Sequence, residues 1–241
     1  MMPDLNLQVF VISMQHSHER RSRAKAELAK TRLKWQFLDA IDGKKLVFPI
    51  PEYPIKKVKQ MLGFELMPGE IGAFLSHKKA WQACVANHQT TLIFEDDFIL
   101  MSSFEQTLEY LLTQFHDWSL LRLQALKDSP CKVIHHANDF VIARNKIDPL
   151  GCTAYLVKAG AAQQLIACAP QIFEPIDHYI EHQQLHGLEF LAVRPYPCDI
   201  SQTPTTVDRP ERKSIRGWKK WRRSIYRWLD RTFSKSPWFP R

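Results

Sequence analysis

Short apolar runs alternate with longer segments of helical periodicity, and this alternation limits the folds open to the chain. Strands are predicted at residues 7–12, 91–94 and 154–157, with helices at 17–30 and 68–87. Such alternation is typical of an α/β sandwich around a mostly parallel central sheet. Ligands of these sheets bind beyond the carboxyl ends of the strands, so we expect the functional residues there. Further strands are expected at 35–38 and 120–123, hairpin-like pieces at 132–144, and helices at 103–115 and 159–168.

Three consecutive acidic residues, Glu95, Asp96 and Asp97, interrupt an apolar run directly after the predicted strand 91–94. Carboxylates packed this closely repel each other unless a cation or strong hydrogen-bond donors offset their charge. If the segment is extended, Glu95 and Asp97 point together while Asp96 points away. Two converging carboxylates suit a hard divalent ion such as Mn²⁺ or Mg²⁺. The alternative is an acidic turn between two unrelated apolar segments.

The net charge of +8 is distributed unevenly along the 241 residues. Residues 209–241 contain 12 Lys and Arg but only two acids, Glu211 and Asp230, so they have a charge of +10 and leave −2 for residues 1–208. We therefore predict a nearly neutral folded body at 1–208 and a separate basic tail at 209–241. A neutral body is not built to bind nucleic acid, and no nucleic-acid partner is expected.

The basic tail has the pattern of an amphipathic helix. Between residues 212 and 235, Trp, Ile, Leu and Phe fall on one arc of a helix, and Lys and Arg occupy the rest. This pattern predicts a helix that lies on an anionic membrane surface. An RNA-binding arm and a helix packed against the protein's own body are the alternatives.

Cysteine usage and apolar content indicate the compartment. The five cysteines are widely spaced and odd in number, which is typical of free thiols in a reducing cytoplasm. Neither a secretory signal nor an apolar run of the ~20 residues that span a bilayer is visible. We therefore expect a cytoplasmic protein, peripherally associated with the inner face of the cell membrane through its tail.

Several short motifs occur in an order that resembles glycosyltransferase family 25, the lipopolysaccharide and lipooligosaccharide glycosyltransferases. The most specific are G-E-I-G-x-x-L-S-H at residues 69–77 and E-D-D at 95–97, and the resemblance covers roughly residues 7–205. One departure is Ser13-Met14, where the family usually has Asn-Leu. Supporting matches are L-D-A-I-D-G at 38–43, G-x-T-A-Y-L at 151–156 and P-I-D-H at 175–178.

The resemblance implies a GT-A-type fold and a UDP-sugar donor, commonly UDP-galactose. It also implies that Glu95 and Asp97 correspond to the metal-binding D-x-D motif of GT-A enzymes. The chemistry of the residues agrees, because a divalent cation held by two carboxylates stabilises the charge that grows on a diphosphate leaving group. Mn²⁺ is the expected cofactor and Mg²⁺ the alternative.

Other matching positions are candidates for donor contacts. A solvated helix face is the alternative for Arg20, a plain turn for Asp39 and Asp42, and a structural hydrogen-bonded histidine for His77. The complete set of donor-binding candidates is Ser13, Arg20, Asp39, Asp42, Ser76, His77 and Asp96.

Transfer with inversion requires a general base that takes the proton of the acceptor hydroxyl. Asp177 is the candidate because it follows Pro175 and matches a family motif; a helix N-cap is the alternative. His178, His182 and His186 recur at four-residue intervals on one predicted helical face, and His178 is the candidate third metal ligand.

Together these features predict a metal-dependent hexosyltransferase, first of all a galactosyltransferase, that acts with inversion on a lipooligosaccharide-type glycan or glycolipid acceptor. Two other functions stay open. One is a nucleotidyltransferase acting on a sugar phosphate, and the other is a non-catalytic protein that binds membrane or nucleic acid.

Overall fold

The computed structural model describes residues 6–201, which form an α/β fold. The predicted boundary at 208 and the basic tail lie outside these residues. The described part contains ten strands: β1 (Leu7–Ser13), β2 (Gln36–Asp39), β3 (Thr90–Glu95), β4 (Phe98–Leu100), β5 (Leu120–Arg122), β6 (Cys131–His136), β7 (Val141–Asn145), β8 (Ala154–Val157), β9 (Phe190–Arg194) and β10 (Cys198–Ile200).

Eight of these strands form the main sheet, in the order β2-β1-β3-β8-β5-β9-β7-β6, and β4 pairs with β10 in a small second sheet. β1 is parallel to β2 and β3, and β5 is parallel to β9. β8 is antiparallel to both β3 and β5, and β7 is antiparallel to β9 and β6. Six strands therefore run in one direction, and β7 and β8 run in the other. The predicted α/β class and the hairpin at 132–144 are confirmed, although the sequence did not predict that β8 runs antiparallel to both of its neighbours.

Helices cover both faces of the main sheet. Successive residues of β1 point to opposite faces, so Phe10 and Ile12 belong to one apolar core, and Val9 and Val11 to the other. Burial on both faces explains why the central strands read as continuous apolar runs rather than as alternating ones. The helices are α1 (His18–Leu28), α2 (Ile55–Leu62), α3 (Pro68–Asn87), α4 (Phe104–Thr113), α5 (Ala159–Cys168), α6 (Ile176–Tyr179) and α7 (Gln183–His186).

The longest helix, α3, is held close to the loop after β2 by two glycines. A Cβ atom at Gly43 would lie 1.6 Å from the carbonyl oxygen of Pro68, and one at Gly72 would lie 2.5 Å from the carbonyl oxygen of Ile41. Glu70 completes the start of the helix by accepting a hydrogen bond from the backbone N–H of Met67 at 2.8 Å. These contacts give a packing role to Gly72 of the G-E-I-G motif and to Gly43, the last residue of the L-D-A-I-D-G motif.

The three spaced histidines do not share a helical face, which corrects that expectation. The predicted helix is interrupted between α6 and α7, so the four-residue spacing does not align the side chains. His178 is exposed, His182 pairs with Glu174 at 2.7 Å, and His186 is buried. No helix within residues 6–201 is both long and apolar enough to cross a bilayer.

Candidate active site

The acidic triplet lies at the carboxyl end of β3, at the edge of the sheet where ligands were expected. Glu95 is the last residue of the strand, and Asp96 and Asp97 form the turn that leads into β4. Alternation of side chains therefore ends at Glu95, and Asp96 and Asp97 bind the same partner. Arg20 of α1 lies with its Nε 2.8 Å from Asp96 Oδ1 and donates from Nη2 to Asp97 Oδ2 at 2.8 Å.

Asp96 supports this turn from inside the protein. Its side chain is buried and accepts a hydrogen bond from the hydroxyl of Ser13, at the end of β1, at 2.5 Å. Because β1 and β3 are adjacent and parallel, their ends bring Ser13 and Asp96 together. Ser13 and Asp96 thus fix the turn, and their contact with a sugar donor stays a prediction.

Glu95 lies among three side chains that approach its carboxylate. The Nε2 atom of His77 is 3.3 Å from Oε1, and the thiol of Cys152 donates to Oε1 at 3.4 Å. The hydroxyl of Thr153 donates to Oε2 at 3.2 Å. Cys152 and Thr153 precede β8, whose antiparallel pairing with β3 places the start of one strand beside the end of the other.

The orientation of His77 is fixed by a buried hydrogen-bond chain. Trp81, one turn further along α3, donates from Nε1 to the hydroxyl oxygen of Tyr155 at 2.9 Å. That hydroxyl lies 2.8 Å from His77 Nδ1. The chain is best satisfied when Tyr155 donates to Nδ1 and His77 donates from Nε2 to Glu95.

The two outer carboxylates of the triplet have opposite pKa shifts. Burial by itself raises the pKa of Glu95, but the hydrogen bond from His77 and the favourable electrostatics of its ring, with help from Cys152 and Thr153, outweigh burial and lower it. Burial and the negative charge of Glu95 raise the pKa of Asp97 to about 6, against the opposing effect of Arg20. The two carboxylates therefore lie close enough to repel each other.

A divalent cation fits this pair. The Oδ1 atom of Asp97 is buried and accepts no hydrogen bond from the described residues. A cation shared with Glu95 would satisfy this oxygen and offset the repulsion between the two carboxylates. Oxygen ligands of this kind suit Mn²⁺ or Mg²⁺.

A second donor set lies on the other side of Glu95. One atom each of His77, Glu95 and Cys152 lie within 4.8 Å of one another. Burial and the charges of Glu95 and Asp177 raise the pKa of Cys152 well above its usual range, and a hard divalent ion such as Mn²⁺ or Mg²⁺ prefers oxygen ligands to a thiol. Among the residues that could hold a metal, the carboxylate pair therefore fits better. The exposed His178 is outside this set of three ligands.

Three other predicted donor contacts have structural partners. Asp39 forms an ion pair with Arg21, and the Oδ1 atom of Asp42 accepts a hydrogen bond from the backbone N–H of Lys44 at 3.0 Å in a 3₁₀ turn. Ser76 is fully buried; its hydroxyl accepts from the N–H of Ile41 at 2.8 Å and donates to the carbonyl of Gly72 at 2.6 Å. Ser76 thus joins α3 to the β2 loop, and its contact with a sugar donor stays a prediction.

Asp177 lies in the first turn of α6 and is half-buried. Its charge contributes, after burial and Glu95, to the raised pKa of Cys152, so it faces the same edge of the sheet. Asp177 thus remains the candidate base, beside the acidic turn rather than within it.

A buried ion pair supports the segment that carries Cys152. Arg122, at the end of β5, is fully buried and pairs with Glu181. The same guanidinium donates to the carbonyl oxygens of Leu150 at 2.8 Å and Gly151, which precede Cys152. Burial raises the pKa of Glu181, and Arg122 offsets part of that shift.

Sequence reasoning missed Cys152, Thr153 and Tyr155 as neighbours of Glu95. They are separated from it by more than fifty residues, and no spacing rule connects such distant positions. The one signal in the sequence was the motif at 151–156. It supported the family resemblance, but it assigned no role to the individual residues. The antiparallel register of β3 with β8 is what brings them to Glu95.

Comparison with known proteins gives one family match. The model of the family described as glycosyltransferase family 25 (LPS biosynthesis protein) matches residues 6–180. Procollagen galactosyltransferase 1-A of Xenopus laevis is 28% identical over 187 residues, which is 72% of this chain and 30% of that protein. The human inactive glycosyltransferase 25 family member 3 is 30% identical over 190 residues, covering 72% of this chain and 31% of that protein. The chain thus spans about a third of the length of these relatives.

Two solved structures resemble the fold more distantly. A Drosophila β1,4-galactosyltransferase 7 mutant in complex with manganese, UDP-Gal and xylobiose has a TM-score of 0.42 and 10% identity, and the match covers 90% of this chain and 79% of that one. The inositol-1-phosphate CTP transferase from T. maritima has a TM-score of 0.45 and 10% identity over 98% of this chain and 99% of that one. TM-scores this low do not establish a shared fold, and the two proteins have different activities.

Proposed function

The chain belongs to glycosyltransferase family 25, and we propose on this premise that it is a metal-dependent glycosyltransferase. In this proposal it transfers a hexose from a UDP-sugar to a glycan or glycolipid acceptor, with inversion at the anomeric carbon. Galactose is the first candidate for the hexose. The observation that supports it most is that Glu95 and Asp97 both lie at the carboxyl end of β3, where the charge of Glu95, together with burial, raises the pKa of Asp97. The unsatisfied oxygen of Asp97 makes this pair suited to a divalent cation.

The chain's own residues have distinct tasks in this proposal. Glu95 and Asp97 hold a divalent cation, which when bound would offset the negative charge on the UDP leaving group. Arg20 fixes Asp97 through a charge-assisted hydrogen bond, and Ser13 fixes Asp96 by donating a hydrogen bond to its buried carboxylate. Asp177 accepts the proton of the acceptor hydroxyl as that oxygen attacks the anomeric carbon.

The acceptor and location are further parts of the proposal. The family description names lipopolysaccharide biosynthesis, which supports a lipooligosaccharide-type acceptor for this chain. The relatives named above include procollagen galactosyltransferases, which supports galactose as the sugar. An enzyme that extends a lipid-linked glycan must reach it at a membrane, so we place the protein in the cytoplasm at the inner face of the cell membrane.

Product analysis tests the reaction class. The protein is incubated with UDP-galactose, UDP-glucose or UDP-N-acetylhexosamines, with Mn²⁺ or with EDTA, and free UDP and pyrophosphate are measured. The proposal expects UDP, released fastest from UDP-galactose and only when Mn²⁺ is present. In a parallel incubation with UTP and galactose 1-phosphate, release of pyrophosphate would instead identify a nucleotidyltransferase. No release from any donor would place this chain with the relatives named as inactive.

Inversion is tested on the product itself. The anomeric proton coupling of the new glycosidic bond, measured by NMR, reports its configuration directly. A β-linkage from an α-linked UDP-sugar supports inversion and a general base. An α-linkage would overturn inversion and remove the need for Asp177 as that base.

A further inference from the structure

The loop between β2 and α2, together with the first turn of α2, exposes several large apolar side chains. The exposed fractions are 86% for Val47, 39% for Phe48 and 37% for Ile55. Single exposed apolar residues are ordinary, but a group of them on one short segment marks an interaction surface. We refer to residues 44–59 as the β2–α2 surface.

Lysines flank these apolar side chains in the sequence. Residues 44–59 contain five lysines and one acid, Glu52, and all five lysines are exposed. Lys59 pairs with Glu65, which leaves four lysines beside the apolar group. These four are Lys44, Lys45, Lys56 and Lys57.

The β2–α2 surface is held in a fixed shape by Tyr53. The ring of Tyr53 is buried and lies edge-on to that of Phe48, with 6.1 Å between ring centroids. Its hydroxyl accepts a hydrogen bond from the N–H of Leu66 at 2.7 Å, and its own N–H donates to the carbonyl of Ile50 at 3.1 Å. The exposed apolar groups are therefore displayed by an anchored loop.

A second group of exposed apolar side chains has a different charge pattern. Leu126, Val133, Ile134 and Ile147 lie on or beside the β6–β7 hairpin, at the opposite edge of the main sheet from β2. Residues 126–148 contain four Lys and Arg and three Asp, so the charges nearly cancel. Apolar exposure is common to both edges, whereas the excess of lysines is much larger on the β2–α2 surface than beside the β6–β7 hairpin.

We propose that the β2–α2 surface docks the protein on an anionic lipid bilayer. Apolar side chains such as Val47 and Ile55 enter the boundary between headgroups and acyl chains, and the lysines bind the anionic headgroups around them. Long lysine side chains reach the headgroups while their methylene stems remain beside the apolar group. This site is separate from the basic tail at 209–241.

The β2–α2 surface is joined to the segment that leads to the candidate base, Asp177. The carbonyl of Glu52 accepts a hydrogen bond at 2.7 Å from the N–H of Ile172, four residues before α6, which carries Asp177. If the proposed glycosyl transfer is correct, docking here brings that edge of the sheet to a lipid-linked acceptor. Docking itself does not depend on that activity.

Vesicle binding by the full chain tests the proposal with two matched triple variants. The first, Lys44→Glu/Lys45→Glu/Val47→Asp, changes the β2–α2 surface. The second, Lys132→Glu/Lys146→Glu/Ile147→Asp, makes the same change in charge and apolarity at the opposite edge of the sheet. Binding is measured by co-sedimentation with phosphatidylcholine vesicles containing about 30% phosphatidylglycerol, and amide hydrogen exchange locates the contact.

The proposal expects vesicles to protect residues 44–59 from exchange. The first variant should lose this protection and bind about tenfold more weakly, while the second binds like the wild type. Equal losses in both variants, or vesicle binding without protection at 44–59, would overturn the proposal. Equal protection by soluble polyglutamate or RNA would overturn it in favour of a general polyanion site. UDP release from a UDP-sugar serves as the separate measure of function, and the first variant should retain it.

Discussion

Glu95 and Asp97 are only two residues apart in the chain, yet their surroundings shift their pKa values in opposite directions. His77, Cys152 and Thr153 stabilise the charged form of Glu95 and lower its pKa, whereas burial and the charge of Glu95 raise that of Asp97 to about 6. Pairs of carboxylates with such divergent environments are frequent at functional sites. In this chain, one carboxylate is fixed by internal partners and the other retains a free buried oxygen.

Replacing either carboxylate by its amide tests this division of roles. Glu95→Gln and Asp97→Asn should each lower the rate of transfer on the order of 100-fold or more, because the site loses a charged ligand. Glu109→Gln on α4 and Asp117→Asn before β5 are exposed controls that make the same chemical changes. Steady-state rates report the loss of activity, and circular dichroism shows whether the fold is retained. Full activity in both site variants would refute the proposed roles of Glu95 and Asp97 as metal ligands.

His186 gives a pH dependence to stability at acid pH. Burial and the nearby His182 lower its pKa to about 4, so the folded protein keeps this histidine neutral. Unfolding exposes the ring and restores its ordinary pKa of about 6.5. Below that pH the unfolded chain binds a proton that the folded one excludes, so stability is complete above pH ~6.5 and falls as the pH approaches 4.

Urea denaturation at pH 7 and pH 5 should detect this proton. The wild type should lose about 2 kcal/mol more than His186→Asn between these pH values, because the variant has no group to protonate there. Ile180→Val, a buried neighbouring substitution that does not titrate, should lower stability and leave the wild-type pH dependence in place. Identical pH dependence in wild type and His186→Asn would contradict the account.

At the scale of elements, the contact between α3 and the β2 loop positions His77. Gly43 and Gly72 let the backbones of the two elements meet, and Ser76 adds a hydrogen bond to Ile41. One turn further along α3, Trp81 fixes Tyr155 and through it the ring of His77. Packing at the start of this helix thus determines what lies beside Glu95.

A methyl group at Gly43 should disrupt this contact. Gly43→Ala should lower the free energy of unfolding by about 2–3 kcal/mol, because its Cβ atom would overlap the backbone of Pro68. Gly160→Ala is the matched control: in α5 a Cβ atom meets nothing within 4 Å, so this change should stabilise by up to about 1 kcal/mol. Equal stability of the two variants in chemical denaturation would show that the close approach does not matter.

The sequence predicts individual elements better than their partners. The apolar runs of β1, β3 and β8 are detected because both faces of these strands are buried. The insertion of β8 between β3 and β5 depends on contacts between distant residues, which no local pattern encodes. Likewise Glu95 is visible from its neighbours in the chain, whereas Cys152 becomes its neighbour only when the sheet forms. The break between α6 and α7 was missed because the spacing of the histidines imitates a helix.

At the scale of the whole molecule, the candidate site is assembled from strand ends on one edge of the main sheet. β1 contributes Ser13, β3 contributes Glu95, and the start of β8 adds Thr153. The β2–α2 surface follows the carboxyl end of the edge strand β2, so it is close to this edge in the order of the sheet. If the protein docks through the β2–α2 surface as proposed, the candidate site lies at the same end of the sheet as the docking surface.

Removal of metal from the intact protein should be reversible. EDTA should abolish UDP release, and excess Mn²⁺ should restore it. The loss is reversible because the fold holds the two carboxylates in place without the ion. Circular dichroism before and after EDTA should show the same secondary structure. Activity that persists in EDTA after dialysis would exclude the metal-dependent mechanism.

The most direct measurement is a calorimetric titration of the protein with Mn²⁺ in the presence of UDP. It compares the wild type with Glu95→Gln, Asp97→Asn and the Asp117→Asn control. The account predicts one Mn²⁺ per chain in the wild type and the control, with binding weakened at least about tenfold in both site variants. Unchanged Mn²⁺ affinity in Glu95→Gln and Asp97→Asn would contradict the claim that this carboxylate pair holds the cation.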